Sequence, residues 1–555
     1  MKKTILIHSA IIGGASLTIA VPPIAIAATT LPTNKEVYND AINQFIEICK
    51  IPHCSNEKGH EDSLVGIKNY IISIAKQYLG KDAVHSDKAG NVWADIPASY
   101  GLEKNKKIIF QGHMDMVWAS AGEATEWDKW THPVSKPIIE VIDGVETIHS
   151  EGWLTNLGLD NGACVALMLS LIMNHKKFRH GSIRCIFTAN EENGFPGSDA
   201  LGEMEDGTKI NVINHDEGYD YLVNLDTGPI GDVVFNSGGG YFNTIEGTLP
   251  NGKTYSDVDV YTLRIFGCQG GHSGVDIGKG YGNPIGLIFQ ALKVINSQND
   301  IKIISVEAPG STNTSIPTEA TVKFYAESIQ SRELIENLIH TWFDKAKRQK
   351  YAHDINLDYE ISVEHSEAEL PTVDEKLSKI IIDLISSLEF GALERYIEPD
   401  EYDAVRVSGN IPTVSIETSL SQQPKFHFLY ANRFQETAYF DKHYKQEFDE
   451  QFAMFAKQLG IKSTPSEWNS WEGQKEGKMC TIVTDSYKSA KIPTRKMRCH
   501  GGLECADFMA YNNQLDVVST GSTVLMEHNV KEAMPLPSYQ QEIDMVLWVI
   551  YNMDF

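Results

Sequence analysis

The chain has 555 residues, 48 basic against 74 acidic side chains, a formal net charge of −26 and 42% hydrophobic residues. That length supports more than one folded core, and an ordinary apolar fraction with 43 Gly and 21 Pro excludes a disordered, collagenous or coiled-coil chain. The acidic excess repels phosphate backbones and anionic lipid heads, so nucleic acid is excluded as a partner and a small molecule is expected.

In chain order, Lys2 and Lys3 precede an apolar run over residues 5–26 that ends in Ala25-Ile26-Ala27. This is the pattern of a signal peptide over residues 1–27, cleaved before Ala28. Pro22-Pro23 interrupts the run before a secure bilayer span. The sequence therefore predicts an exported protein, periplasmic or secreted, with no membrane attachment after cleavage. Eight cysteines in so long a chain are not a disulfide scaffold. Cys49 with Cys54, and Cys480 with Cys499, are candidate pairs, with buried free thiols the equal alternative. No C-x-x-C spacing points to a cysteine metal site.

A helix is predicted over residues 63–79, followed by β-rich runs that each end in polar residues. Residues 107–111 lead to Gly112-His113-Met114-Asp115, residues 182–188 to Glu191-Glu192, residues 221–225 to Asp226-Thr227, and residues 515–519 to a loop that reaches His528. Between the first two, Asp160-Asn161-Gly162 opens an apolar helix. From about residue 241 the pattern becomes strand followed by long helix, at 261–266 with 283–294 and again at 426–430 with 442–459. That recurrence hints at a duplicated subdomain, with residues 244–259 and 344–369 reading as surface insertions. The expected architecture is α/β: a catalytic domain with a central mixed sheet flanked by helices (33–240 and 466–555), interrupted by an inserted α+β lid domain (241–465).

In open α/β sheets reactive groups gather beyond the carboxyl ends of the strands. His113, Asp160, Glu192, Asp226 and His528 all fall at strand ends or a helix start, and form a mixed imidazole and carboxylate set suited to Zn²⁺, with Mn²⁺ or Co²⁺ compatible. Two metals sharing one carboxylate account for the number of ligands. Glu191, beside a ligand, is available as general base to a water acidified by the metals. Asp115, two residues from His113 on an extended segment, lies on the same face and can fix the histidine tautomer or serve another catalytic role.

The strings Gly112-His113-Met114-Asp115-Met116-Val117, Leu157-Gly158-Leu159-Asp160-Asn161-Gly162, Glu191-Glu192-Asn193-Gly194, Asn224-Leu225-Asp226-Thr227 and Gly270-Gly271-His272-Ser273-Gly274 resemble the co-catalytic di-zinc peptidase family of glutamate carboxypeptidase, aminoacylase and carnosinase. Residues 276–280, 416–420 and 500–505 bring the chain nearest to the aminoacyl-histidine dipeptidase branch. The resemblance implies that Asp160 bridges two ions, with His113 and Asp226 on one and Glu192 and His528 on the other. It implies Glu191 as base and proton shuttle, Asp115 as the orienter of His113, and a cis Asp160–Asn161 peptide. His272 becomes a lid histidine that polarises the scissile carbonyl, Asn283 and Arg433 hold the substrate carboxylate, and Glu504 reads the substrate amino group. The implied activity is hydrolysis of short unblocked peptides, Xaa-His dipeptides among them. An aminoacylase or other amidohydrolase on the same site is the alternative, and the implied assembly is a monomer or a lid-mediated homodimer. The branch sets its last ligand in a His-Ser-Pro context, whereas here His528 is followed by Asn529-Val530-Lys531-Glu532.

Overall fold

The computed structural model describes residues 32–309, 312–326, 332–397 and 404–553. The signal-peptide expectation lies outside the described residues. Among those described, no helix is long and apolar enough to cross a membrane.

The fold is α/β, with a mixed central sheet flanked by helices and interrupted by an α+β lid. Across the first nine-stranded sheet the order includes Val92–Ile96, Ile183–Thr188, Lys107–His113, Tyr219–Asn224, Asp516–Ser519 and Asp232–Ser237. The middle four of these run parallel. Parallel strands covered on both faces read as continuous apolar runs, and Ile183–Thr188 is buried along its whole length. One face packs on Leu159–Asn174, a helix buried nearly all round, and on Leu536–Asn552. Because the four strands are parallel, His113, Thr188, Asn224 and Ser519 end on one rim.

The second nine-stranded sheet is antiparallel and is built from two βαββαβ units side by side, with Gly391–Arg395 as the ninth strand against Val405–Glu417. One unit holds Val258–Phe266, Ile301–Glu307, Ala320–Ala326 and Asp358–Ser366 with helices Pro284–Asn296 and Arg332–Gln349. The other holds Gly239–Thr248, Val405–Glu417, Lys425–Phe434 and Lys462–Trp468 with helices Glu375–Ser387 and Gln446–Leu459. Both have the same internal strand order, mirrored about the junction where Val306 pairs with Ile416. The stretches read as surface insertions instead run through strands of this sheet, the strand Asn251–Tyr255 of a small two-stranded sheet with Leu370–Val373, and the end of the helix Arg332–Gln349. Asp358–Ser366 is an edge strand, exposed at alternate residues, and its polar alternation mimics a loop. All eight cysteines are free, and every one but Cys499 is buried.

Candidate active site

His113 closes its strand and is 1% exposed. Its Nε2 lies 3.1 Å from Asp160 Oδ1 and 3.4 Å from Asp226 Oδ1. His528 Nε2 lies 3.2 Å from the other oxygen, Asp160 Oδ2, and 2.8 Å from Glu192 Oε1. Asp160 thus offers one oxygen toward each imidazole, and each imidazole has one further carboxylate of its own. Ligand atoms of His113, Asp160 and Glu192 lie within 4.8 Å of one another. The Asp160–Asn161 peptide is cis.

The electrostatics of this cluster call for cations. Burial raises Glu192 and Asp226 from their ordinary values. Against burial, Asp160 and Glu192 carry His528 up to about 11, while Asp226, Asp115 and Asp160 hold His113 well up. Three carboxylates converging on two imidazole nitrogens form an acceptor-rich, mixed N and O cage, and divalent metal ions fit that donor set.

Glu191 is raised by burial and by the neighbouring Glu192 and Asp226 carboxylates, and among the described residues nothing donates a hydrogen bond to its side chain. A carboxylate poised in this way suits proton transfer. Asp115 is fully buried and clamps the loop that carries the base: Oδ1 accepts from Glu191 N at 3.0 Å and Oδ2 from Glu192 N at 3.3 Å. The His113 Nδ1–H is within reach of the Asp115 carbonyl at 3.0 Å and of Oδ1 at 3.4 Å, so Asp115 braces both His113 and Glu191.

The lid faces this rim. His272 sits on the short strand Gly271–His272, after two glycines at φ +68° and +124° that a side chain would strain. Its ring reaches solvent, yet the protein crowded around the cleft, and then Arg433, press it down to about 4, and the charge of His528 also reaches it. Its Nδ1 accepts from Gly274 N at 3.3 Å, which leaves the proton on Nε2, free to donate. Arg433 is 4% exposed and donates through Nε to Ser273 Oγ at 3.0 Å, with Phe242 and Trp468 rings beside it. Burial lowers it to about 10, and among the described residues no carboxylate pairs with it.

Two expectations need correction. Asn283 caps the helix Pro284–Asn296, accepting from Gly286 N at 3.1 Å and donating to Asn410 Oδ1 and Ile411 O, so its amide is consumed by the lid. The Asn-Pro pair at a helix start already carried that signal. Glu504 is 0% exposed and cannot meet a substrate amine. It lies beneath the rim, accepting from Gln111 Nε2 at 2.5 Å and Thr188 Oγ1 at 2.7 Å, and burial pushes it up to about 8.

The residues that the sequence reading missed are braces. Ser55 donates to Asp115 Oδ2 at 2.7 Å. Glu532 accepts from Leu157 N at 2.7 Å and Leu159 N at 3.2 Å, tying the His528 loop to the turn that carries Asp160.

The family model for "Peptidase family M20/M25/M40" matches residues 109–432, more than half of the chain. The chain belongs to peptidase family M20/M25/M40. It is a metallopeptidase. It is 26% identical over 500 residues to the cytosol non-specific dipeptidase of Escherichia coli strain K12, covering 89% of this chain and 93% of that protein. Among solved structures, the aminoacylhistidine dipeptidase of Vibrio alginolyticus superposes with a TM-score of 0.70 at 23% identity, over 95% of this chain and 99% of that one. A Staphylococcus aureus tripeptidase superposes at 0.53 with 13% identity, over 92% and 97%.

Proposed function

We propose that this M20 peptidase is an exported dipeptidase acting on short unblocked peptides, with Xaa-His dipeptides among its substrates and zinc as the metal. The observation that carries the reading is the buried Arg433, a guanidinium without a carboxylate partner among the described residues, bonded to Ser273 next to His272. A guanidinium in that state is matched by the C-terminal carboxylate of a short peptide, which it can grip through two N–H donors. The curated E. coli relative, named a non-specific dipeptidase, supports broad rather than histidine-restricted selectivity.

Divalent ions held by His113, Asp160, Glu192, Asp226 and His528 would supply Lewis acidity toward water and the scissile carbonyl. Glu191 takes the proton of the attacking water and passes it to the departing nitrogen. His272, neutral with its proton on Nε2, donates to the carbonyl oxygen as charge develops there. Arg433 fixes the carboxylate end, and the lid limits the cleft to short substrates and keeps out bulk water.

Purified enzyme loaded with zinc is expected to cleave a panel of free dipeptides, Xaa-His included, and to leave N-acetyl amino acids intact. Preferential turnover of the acetylated compounds would overturn the dipeptidase reading. Export is supported by residues 2–27 of the sequence, although the curated relative is named as cytosolic. The mature chain is expected outside the cytoplasm with Ala28 as its first residue, and intact Met1 on a cytoplasmic protein contradicts export.

A further inference from the structure

Residues 499–504, Cys-His-Gly-Gly-Leu-Glu, run from the end of Arg495–Cys499 to the start of the helix Cys505–Tyr511 and touch both halves of the molecule. Toward the lid, His500 Nε2 lies 2.8 Å from Ser408 Oγ, and its Nδ1 lies 3.1 Å from Gln435 Nε2. The same Gln435 amide donates to Cys499 O at 3.1 Å, and Gly238 N donates to both Cys499 O and Gly501 O. Toward the rim, Glu504 lies beneath Gln111 and Thr188.

Two glycines at this junction, Gly502 and the lid's Gly274, have no space to spare. A Cβ built on Gly502 lies 3.0 Å from Trp468 Nε1, on the last lid strand, and 3.0 Å from Phe195 Cε2, just beyond Glu191 and Glu192. Gly274, two residues past His272, rests directly on Gly501: a Cβ on Gly274 falls 2.7 Å from Gly501 Cα and 3.0 Å from His272 Cε1. A Cβ on Gly501 points elsewhere and meets only Cys499 Sγ at 3.4 Å, an ordinary contact. None of the three glycines is among the positive-φ residues, so alanine suits each backbone and any effect is steric.

We propose that Gly501-Gly502 is the seat on which the lid rests, and that the bare contact between Gly274 and Gly501 sets how far His272 reaches toward the metal ligands. The inference rests on the reading of His272 as the carbonyl-binding group. Because Gly274 N also donates to His272 Nδ1, a displacement of Gly274 moves the ring and loosens the bond that fixes its tautomer. Gly274 is therefore a positioning residue, acting through His272.

The test compares Gly274→Ala, Gly502→Ala, Gly501→Ala and His272→Ala in the full metal-loaded chain, reading kcat, KM, metal content and the radius of gyration by X-ray scattering. Gly274→Ala and Gly502→Ala are expected to lose about tenfold or more in kcat, with metal content unchanged and a larger radius of gyration, since an ångström of misplacement is enough to cost that much. Gly501→Ala is expected to stay within about twofold of the parent on the same principle. Parent-like kcat and radius in Gly274→Ala, beside an impaired His272→Ala, overturn the seat. So does an equal loss in the Gly274 and Gly501 variants. If His272→Ala keeps the parent kcat, the role of His272 fails, and the radius of gyration alone decides whether the seat stands. Should Gly274→Ala not fold, Gly502→Ala carries the same comparison.

Discussion

The two walls of the cleft are opposites in charge. On the catalytic rim, Asp160, Glu191, Glu192 and Asp226 converge with no lysine or arginine paired to any of them among the described residues. On the lid, Arg433 is buried without a carboxylate partner among the described residues and His272 is held neutral. Each wall lacks the charge that the other displays, yet they do not satisfy one another by closing into an ion pair. In the proposed function what completes them is different in kind: divalent cations on the rim, and an anionic, carbonyl-bearing substrate on the lid. Leaving a buried charge unpaired costs stability, so both walls keep a deficit that binding relieves.

The largest effect expected from breaking this contrast is at the base. Glu191→Gln removes a carboxylate that accepts no hydrogen bond from the described residues and ligates neither ion in the proposed arrangement. It is expected to lower kcat by roughly 10²–10⁴ while the protein still binds both metals. Stopped-assay kinetics with metal analysis on the same sample checks this, and loss of metal in step with activity would make Glu191 a ligand instead. On the lid, Arg433→Met keeps the packing against Phe242 and Trp468 while removing the charge. Free dipeptides are expected to lose roughly 10–100-fold in kcat/KM, the worth of a charged hydrogen bond, and C-terminally amidated dipeptides almost nothing. Equal losses for both substrates would mean that Arg433 supports the wall rather than the substrate.

The smallest effect on catalysis lies behind the rim. Burial lifts Asp507, which accepts from Ser198 Oγ at 2.5 Å, from 3.8 to about 6. A carboxyl raised on folding favours the protonated state, so its stabilising contribution is present below about pH 4 and is lost as the pH rises to 6. A shift of that size corresponds to at most about 3 kcal/mol. Asp507→Asn is expected to flatten this part of the pH profile, so its unfolding free energy relative to the parent rises between pH 4 and 7. A difference that does not change with pH would show that Asp507 stays ionised in the fold.

The rim was legible in the sequence because each candidate ligand sits in its own short string at a strand end, a helix start or the loop after a strand, and parallel strands bring such ends together without further instruction. The lid wall was partly legible: Gly270-Gly271-His272 and Arg433 stood out, but Asn283 was assigned to substrate when its place before Pro284 marked a helix cap. The braces were hidden for a different reason. Glu532 meets Leu157 across 375 positions of sequence, and Ser55 meets Asp115 across 60. Neither residue type is unusual where it stands, so only the folded chain shows the pairing. The duplication of the lid was legible in the recurrence of strand followed by long helix, and its mirrored strand order shows only in the fold, because topology repeats there while residue identities do not.

The position of Asp516–Ser519 has a consequence for biosynthesis. This strand lies inside the catalytic sheet, between Tyr219–Asn224 and Asp232–Ser237, although nearly the whole lid is made before it. A ribosome that has finished the lid has thus produced a catalytic sheet with an inner strand missing, and the proposed last metal ligand, His528, is still to come. A premature stop between the end of the lid and residue 516 leaves a gap inside the sheet, between Tyr219–Asn224 and Asp232–Ser237, rather than a frayed edge.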